Sequence, residues 1–417
     1  MITKSWFLVG LAALAFLFSQ HASAITLPSE FAGSDGAFEP TSNITIDLSQ
    51  AVTGQWDLTS GSGNGVYDPA QWAVIFRYTS VNIPQGVTVT FKNHPSVAPV
   101  MWLVQGDVVI NGTVNLNGAN GHGNTATPTP SEPGPGGFRG GRGTRGSVPA
   151  SAGFGPGGAP ADDNVGRDGS YATVGSRGSS STYGNPGVFP LIGGSGGSGG
   201  FNDDRVFGAG AGGGALLIST PSQIAVNGKI SADGGRSNDY WTGHGSGGAI
   251  RLVCDNVGGL GILSALGGQN SDNSGGSGRI RIEANSNDLA DLGSPPYTTA
   301  IAAETPRIFR TAGDGIPSIK AVTLGGEDVP EDPRPKQTLP ADVQIAEEGT
   351  KTLSIEAANV PASSVVTVRV IPVSGEDSVY QATYDGEGGE AGVTMWSVDV
   401  DLAGGFSTVQ VYAALTE

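Results

Sequence analysis

A chain of 417 residues with a net charge of -17 is a poor partner for nucleic acid or anionic membranes, because phosphates are repelled. Its 69 glycines argue against sustained helix, since each interior glycine costs about 1 kcal/mol relative to alanine. The single cysteine excludes an internal disulfide and cysteine-based zinc sites.

The chain opens with one cation at Lys4, an apolar run from Trp6 to Phe18, and the small-residue pattern Ala22-Ser23-Ala24. That layout predicts a secretory signal over 1–24, too short and wrongly flanked for a membrane span. The mature protein is therefore expected outside the cytoplasm, secreted or at the cell surface, without membrane insertion. From Asn43 to Leu116, short β-branched and aromatic runs recur between turn residues: NITIDL, WAVIFRY, VTVTF, MWLVQ, DVVI and TVNL. Many alternate with period two, as half-buried strands require.

A repeat follows. GGGALLIS, SGGAIRLV and GSGRIRIE align at Ala215, Ala249 and Arg279, in steps of 34 and 30 residues. VNGKISADGG and GLGILSALGG form a second pair, and INGTVNLNGANG is an earlier cousin. Units reading strand, turn, strand, glycine-rich loop suit a solenoid whose coils bury their inner faces on one another. The fold expected is all-β: a parallel right-handed β-helix over 25–314. Leu216, Ile218, Ile250, Leu252, Ile280 and Ile282 stack inward, while Leu217, Arg251 and Arg281 point outward. Cys254, in AIRLVCDNV, behaves as a small buried hydrophobe. Corner glycines are expected to supply the φ > 0 conformations that each coil needs to turn.

A Gly/Pro/Ser-rich insertion at about 122–207 interrupts the ladder. Glycine makes up about a third of Gly134–Gly200, yet its spacing breaks the strict collagen triplet. The reading taken is a long, loosely packed loop; the alternative is glycine-rich extended strands packed side by side over the β-helix. Beyond the coils, EDVPEDPRPKQTLP (Glu327–Pro340) is expected as a stiff linker or inter-strand loop. Strand-like runs DVQIAEE, TLSIEA, SVVTVRVIPV, SVYQATY, VTMWSVDVD and STVQVYAAL then predict a small Ig-like β-sandwich over 315–417, with IKAVTL as a possible first strand.

The residues GSDGAF (Gly33–Phe38), VQGDVVINGTVNLNG, GGAIRL and SGRIRI resemble those of secreted glycine-rich bacterial β-helix proteins, related in fold to pectin lyases and haemagglutinin-type adhesins. The resemblance implies architecture and an extracellular place more than an activity. Asp203-Asp204, Gly243-His244-Gly245 and Arg279-Ile280-Arg281 further resemble, in order, three of the four polygalacturonase motifs. That likeness implies Asp203 and Asp204 as acid and base, His244 tuning them, and Arg279 and Arg281 gripping a uronate carboxylate.

Departures weaken it. No Asn-x-Asp stands a coil upstream, the nearest aspartate being Asp168 in GRDGS, and Arg281 stands where the family has lysine. Gly243, Gly245, Gly247 and Gly248 also fall where the other copies carry glycine, so His244 reads as an exposed loop residue.

Other patterns carry less. Gly193-Gly194-Ser195-Gly196-Gly197 matches a serine elbow but lacks its strand and helix, and dinucleotide-type glycine spacings lack a following helix. Asp162, Asp163, Asp203, Asp204, Asp233, Asp239 and Asp272 are oxygen ligands of the kind calcium takes, without the regular nonapeptide of calcium-binding β-rolls. No cofactor is expected, with calcium left open.

Asp239, Tyr240, Trp241 and His244 form the best ligand-contact cluster, and loop aromatics Tyr171 and Tyr183 are further candidates to stack on sugar rings. The function expected is a non-enzymatic structural or adhesion protein whose C-terminal module binds an extracellular polysaccharide, matrix or cell-surface component. The alternatives are a polysaccharide-cleaving enzyme and an ice- or surface-binding protein, the latter without a regular Thr-x-Thr ladder.

Overall fold

The computed structural model describes residues 25–27, 33–57, 61–123, 129–144, 149–161, 165–178, 181–200, 207–238, 241–310, 315–331, 333, 341–373, 375–389 and 392–415. The expected signal, residues 1–24, lies outside them, as do most of the linker residues up to Pro340. Among the described residues no helix is long and apolar enough to cross a membrane.

The protein is all-β, built on parallel sheets. Successive repeats contribute strands to three parallel stacks. The first stack runs through Ala73–Tyr78, Val100–Val104, Ala215–Ser219, Ala249–Gly259, Arg279–Leu289 and Thr298–Ala300. A second runs through Ala37–Phe38, Ser80–Ile83, Val108–Ile110 and Gln223–Val226, and joins the first where Gln223–Val226 pairs with the far half of Ala249–Gly259. The third comprises Ile44–Asp47, Thr88–Lys92, Thr113–Asn115, Lys229–Ser231 and Ile262–Ser264. Only Val66–Asp68 enters these sheets antiparallel, against Ala73–Tyr78.

The repeat sets the register. Leu216, Ile250 and Ile280 pair in a row, as do Ile218, Leu252 and Ile282, and all six are buried in one core. Aromatic packing fills the early coils, where Phe38 stacks on Tyr78 at 5.2 Å and meets Trp102 edge-on at 5.8 Å. Cys254 belongs to this core, and burial pushes its thiol up to about 12.

Leu217 and Arg251 leave the core as expected but do not reach solvent. They are buried under a second layer in which Val188, Leu191, Ala302 and Ile308 cover that face. Alternation in a strand says which side a residue takes, not whether the chain returns to cover it.

The glycine-rich insertion is not a loosely packed loop. Its described segments run out from the strands and back, side by side, with three-residue periodicity in their hydrogen bonds. In Gly208–Gly214, the N–H groups of 208, 211 and 214 donate to carbonyls of His122, Ala119 and Leu116. Those of 209 and 212 donate to Gly141 and Phe138, and those of 210 and 213 to Gly243 and Ser246. Three residues per turn is the period of an extended polyproline-II-type helix, which has no internal hydrogen bonds and must bond to neighbours. Segment 193–200 repeats the pattern, Gly194 donating to Gly213 and Gly197 to Gly210.

Close approach explains the composition. A Cβ on Gly212 would sit 1.9 Å from the Gly194 carbonyl oxygen, and one on Gly210 equally close to that of Gly235. Positive φ occurs at turn glycines such as Gly86 and Gly259, as expected of corners, but Gly243, Gly245, Gly247 and Gly248 are absent from the positive-φ residues. They are glycine because backbones touch there.

The C-terminal part is two antiparallel sheets over a shared core of Leu353, Ile355, Val366, Val368, Trp396 and Val400. Ser318–Leu324, Glu327–Asp328, Gly349–Ala358, Thr383–Glu387 and Val393–Leu402 form one; Val365–Pro372, Ser378–Gln381 and Ser407–Ala414 form the other. DVQIAEE is not a strand: Val343 and Ile345 only pack against this core, without joining a ladder.

This part docks on the glycine bundle through charge-assisted bonds. The buried Arg142 guanidinium donates to the carbonyls of Pro372 and Gly375 (3.1 Å for the latter), and Arg369 donates to those of Gly153 and Gly158. The Asp377 carboxylate accepts from the Ala152 N–H, and burial pushes its pKa up, against the pull of Arg142 and Arg369.

Candidate functional site

His244 sits in the glycine segment leading into Ala249–Gly259, and it is fully buried. This corrects the expectation of an exposed loop residue. Its main chain is bonded on both sides: the N–H donates to Asp168 Oδ1 at 2.8 Å and the carbonyl accepts from Gly169 N–H. Its ring Nδ1 accepts from the Ser237 N–H at 3.0 Å, so the proton of the neutral ring is on Nε2. Burial lowers its pKa to about 4; Asp168 opposes this, while Arg177 and Arg236 add to it.

Asp168 holds the other half of the cluster. Its carboxylate, also fully buried, accepts from the Arg177 N–H at 2.9 Å and from the Arg177 guanidinium at 3.1 Å. The same guanidinium donates to the Thr242 carbonyl at 2.9 Å. The carboxylate thus bonds the main chain of His244 and not its imidazole. A catalytic pair needs a proton path between side chains and access for a substrate. Here a carboxylate and an arginine splint two glycine-rich segments together.

The arginines of the polygalacturonase likeness are also engaged within the fold. Arg279 donates to the carbonyls of Tyr183 and Gly184, with its guanidinium 5.5 Å above the Tyr171 ring. Arg281 donates to the Thr299 carbonyl at 3.1 Å and lies 3.4 Å from Glu283, which also pairs with Arg251. The structure does not bring Arg279 and His244 to one accessible cleft. Asp203, Asp204, Asp239 and Tyr240 lie outside the described residues, as do Asp162 and Asp163.

The remaining candidates have structural partners. Ser195 is buried in the bundle, donating to the Tyr183 hydroxyl and accepting from the Gly157 N–H, far from the strained turn a nucleophile elbow requires. Tyr183 in turn donates to the Gly193 carbonyl, and Tyr171 to that of Ile192, so both hydroxyls are engaged within the fold. Asp233 accepts from Ser231, Ser264 and the Leu266 N–H, and lies 3.5 Å from Lys229. Asp272 stands in a turn closed by Asn270. Among the described residues no group of three or more His, Cys, Asp or Glu could hold a metal ion.

Trp241 differs from all of these. It is 36% exposed, with Arg236 and Asn238 exposed near it in sequence. Arg236 and Asn238 are tied into the bundle, the Arg236 N–H donating to Asn120 Oδ1 at 2.9 Å and the Asn238 amide donating to the Gly121 carbonyl.

No protein-family model, curated protein or solved structure matches this chain. What the geometry defines is a class by architecture: stacked parallel strands bearing a hydrogen-bonded glycine bundle, with an antiparallel two-sheet unit docked on its side.

Proposed function

We propose that the protein is a secreted, non-enzymatic scaffold of the adhesion type. In this reading the three strand stacks are a right-handed β-helix related in fold to pectin lyases and haemagglutinin-type adhesins, the C-terminal sheets are an Ig-like sandwich, and the partner is an extracellular polysaccharide, matrix or cell-surface component. One observation carries it. The glycines and the histidine of the Gly-His-Gly match are accounted for by packing, with the imidazole buried and neutral.

The test uses the intact mature protein. It is incubated with polygalacturonate and with neutral polysaccharides, with calcium and without, scoring reducing ends and unsaturated products; retention on immobilised cell-wall and matrix preparations is measured in parallel. Retention without product release is expected. Release of oligosaccharide that is lost in Arg281→Ala would return the chain to the polysaccharide-cleaving enzymes, and absence of retention on every preparation would overturn adhesion.

A further inference from the structure

We infer that the strand Ser407–Ala414 is a dimer interface, and that it pairs antiparallel with the same strand of a second copy of this chain. The inference goes beyond the adhesion reading and does not depend on it.

The two C-terminal sheets end in four strands, and three of these edges are blunted. Glu327–Asp328 closes one side of the larger sheet with two exposed residues, both acidic. Thr383–Glu387 closes the other side; it carries Asp385 and Glu387, and its register shifts between Tyr384 and Gly386. Ser378–Gln381 closes one side of the smaller sheet and is only four residues long. Short strands, edge charges and bulges are the devices by which a sheet avoids unwanted pairing.

Ser407–Ala414, at the fourth edge, has none of them. It is eight residues, STVQVYAA, without charge, proline or glycine. All eight stay in register with Val365–Pro372, their only strand neighbour among the described residues. In an antiparallel ladder every second residue turns its N–H and C=O away from its partner. Those groups form a row of donors and acceptors on which another strand can be laid.

Apolar surface gathers at the same edge. Val409, Val411 and Ala413 pack against the core of the unit yet are only partly buried. Val365, opposite Ala414, is 43% exposed, and Leu415, next after the strand, is 49% exposed. A strand added here buries apolar surface together with the backbone groups.

Charge selects the partner. The C-terminal part from Ser318 onward holds 16 acids against 5 bases, so two copies repel over most of its surface. Pairing through Thr383–Glu387 would set Asp385 and Glu387 against their own counterparts, and like charges opposite one another destabilise a ladder. Ser407–Ala414 brings no charge to the contact. An uncharged edge meets its own copy without penalty, and a two-fold axis across it makes an isologous contact that closes at two subunits.

The experiment is sedimentation equilibrium of the intact mature protein over a range of concentrations. A reversible dimer is expected. Tyr412→Lys adds one positive charge to the edge of each copy and should weaken association about tenfold or more. Val379→Lys places the same charge on the short strand at the opposite edge of that sheet and should leave association unchanged. Where Tyr412→Lys does not fold, amide exchange in the wild type replaces it. The amides of Ser407–Ala414 should then gain protection as concentration rises through the dimer range, and those of Ser378–Gln381 should not. A monomer at every concentration overturns the inference. So does a dimer that a folded Tyr412→Lys leaves intact, that Val379→Lys weakens equally, or whose formation leaves exchange in Ser407–Ala414 unchanged. None of these results touches adhesion, which retention on matrix or cell-wall material decides.

Discussion

Gly212→Val is expected to prevent the glycine bundle from closing. The added Cβ would meet the Gly194 carbonyl carbon at 2.2 Å and its oxygen at 1.9 Å, both backbone atoms that no rotamer change can move aside. Overpacking of a core costs about 1–3 kcal/mol when side chains can shift, and more where they cannot. Here the segments must also separate, breaking the Gly212 to Phe138 and Gly194 to Gly213 hydrogen bonds. We expect a loss of more than about 3 kcal/mol in chemical unfolding, or a product that does not fold. Gly123→Ala is the control. Nothing lies within 4 Å of its added carbon and its φ is not positive, so its stability should stay within about 0.5 kcal/mol of the wild type.

Asp168→Ala is expected to cost about as much by a different route. It leaves the Arg177 guanidinium, only 16% exposed, without its carboxylate, and removes the acceptor of the His244 and Arg177 N–H groups. Breaking a buried ion pair by removing one partner costs about 3–5 kcal/mol, because an uncompensated charge stays buried. Chemical unfolding of the single variant, of Arg177→Ala and of the double variant separates pair from parts. The double variant should lose less than the sum of the two singles. Simple additivity would mean that the two side chains are not acting on one another.

The strand stacks are legible in the sequence because side-chain alternation and spacing both report on a parallel ladder. The pairs Ala215 with Ala249 and Ala249 with Arg279 are the aligned positions of the repeat itself. The bundle is not legible in the same way. In collagen one residue in three faces the crowded axis, so glycine recurs in strict triplets. Gly208–Gly214 has neighbours on all three sides, so every position must be small and the run reads GAGAGGG without a period. Segments at the edge of the bundle need small residues only on the side that faces in, which lets Phe138 and Arg142 stand among glycines. A loop and a packed bundle edge then have similar compositions.

His244 shows the limit at a single residue. The repeat correctly marks its flanking glycines as structural, but nothing local shows that Asp168, far away in the chain, bonds its backbone. The docking of Arg142 and Arg369 on carbonyls is equally hidden, since a carbonyl acceptor leaves no trace in residue type. The lone arginines in glycine-rich or β-branched surroundings are the only hint.

The central claim is that the glycine segments form a hydrogen-bonded scaffold, and the most direct test is amide hydrogen exchange in the intact protein. The amides of 208–214 and 193–200 should exchange as slowly as those of Ala249–Gly259, with which they share a network. Exchange of these glycines at the rate of an unstructured peptide, beside protected strands, would contradict the account and return the insertion to a loop.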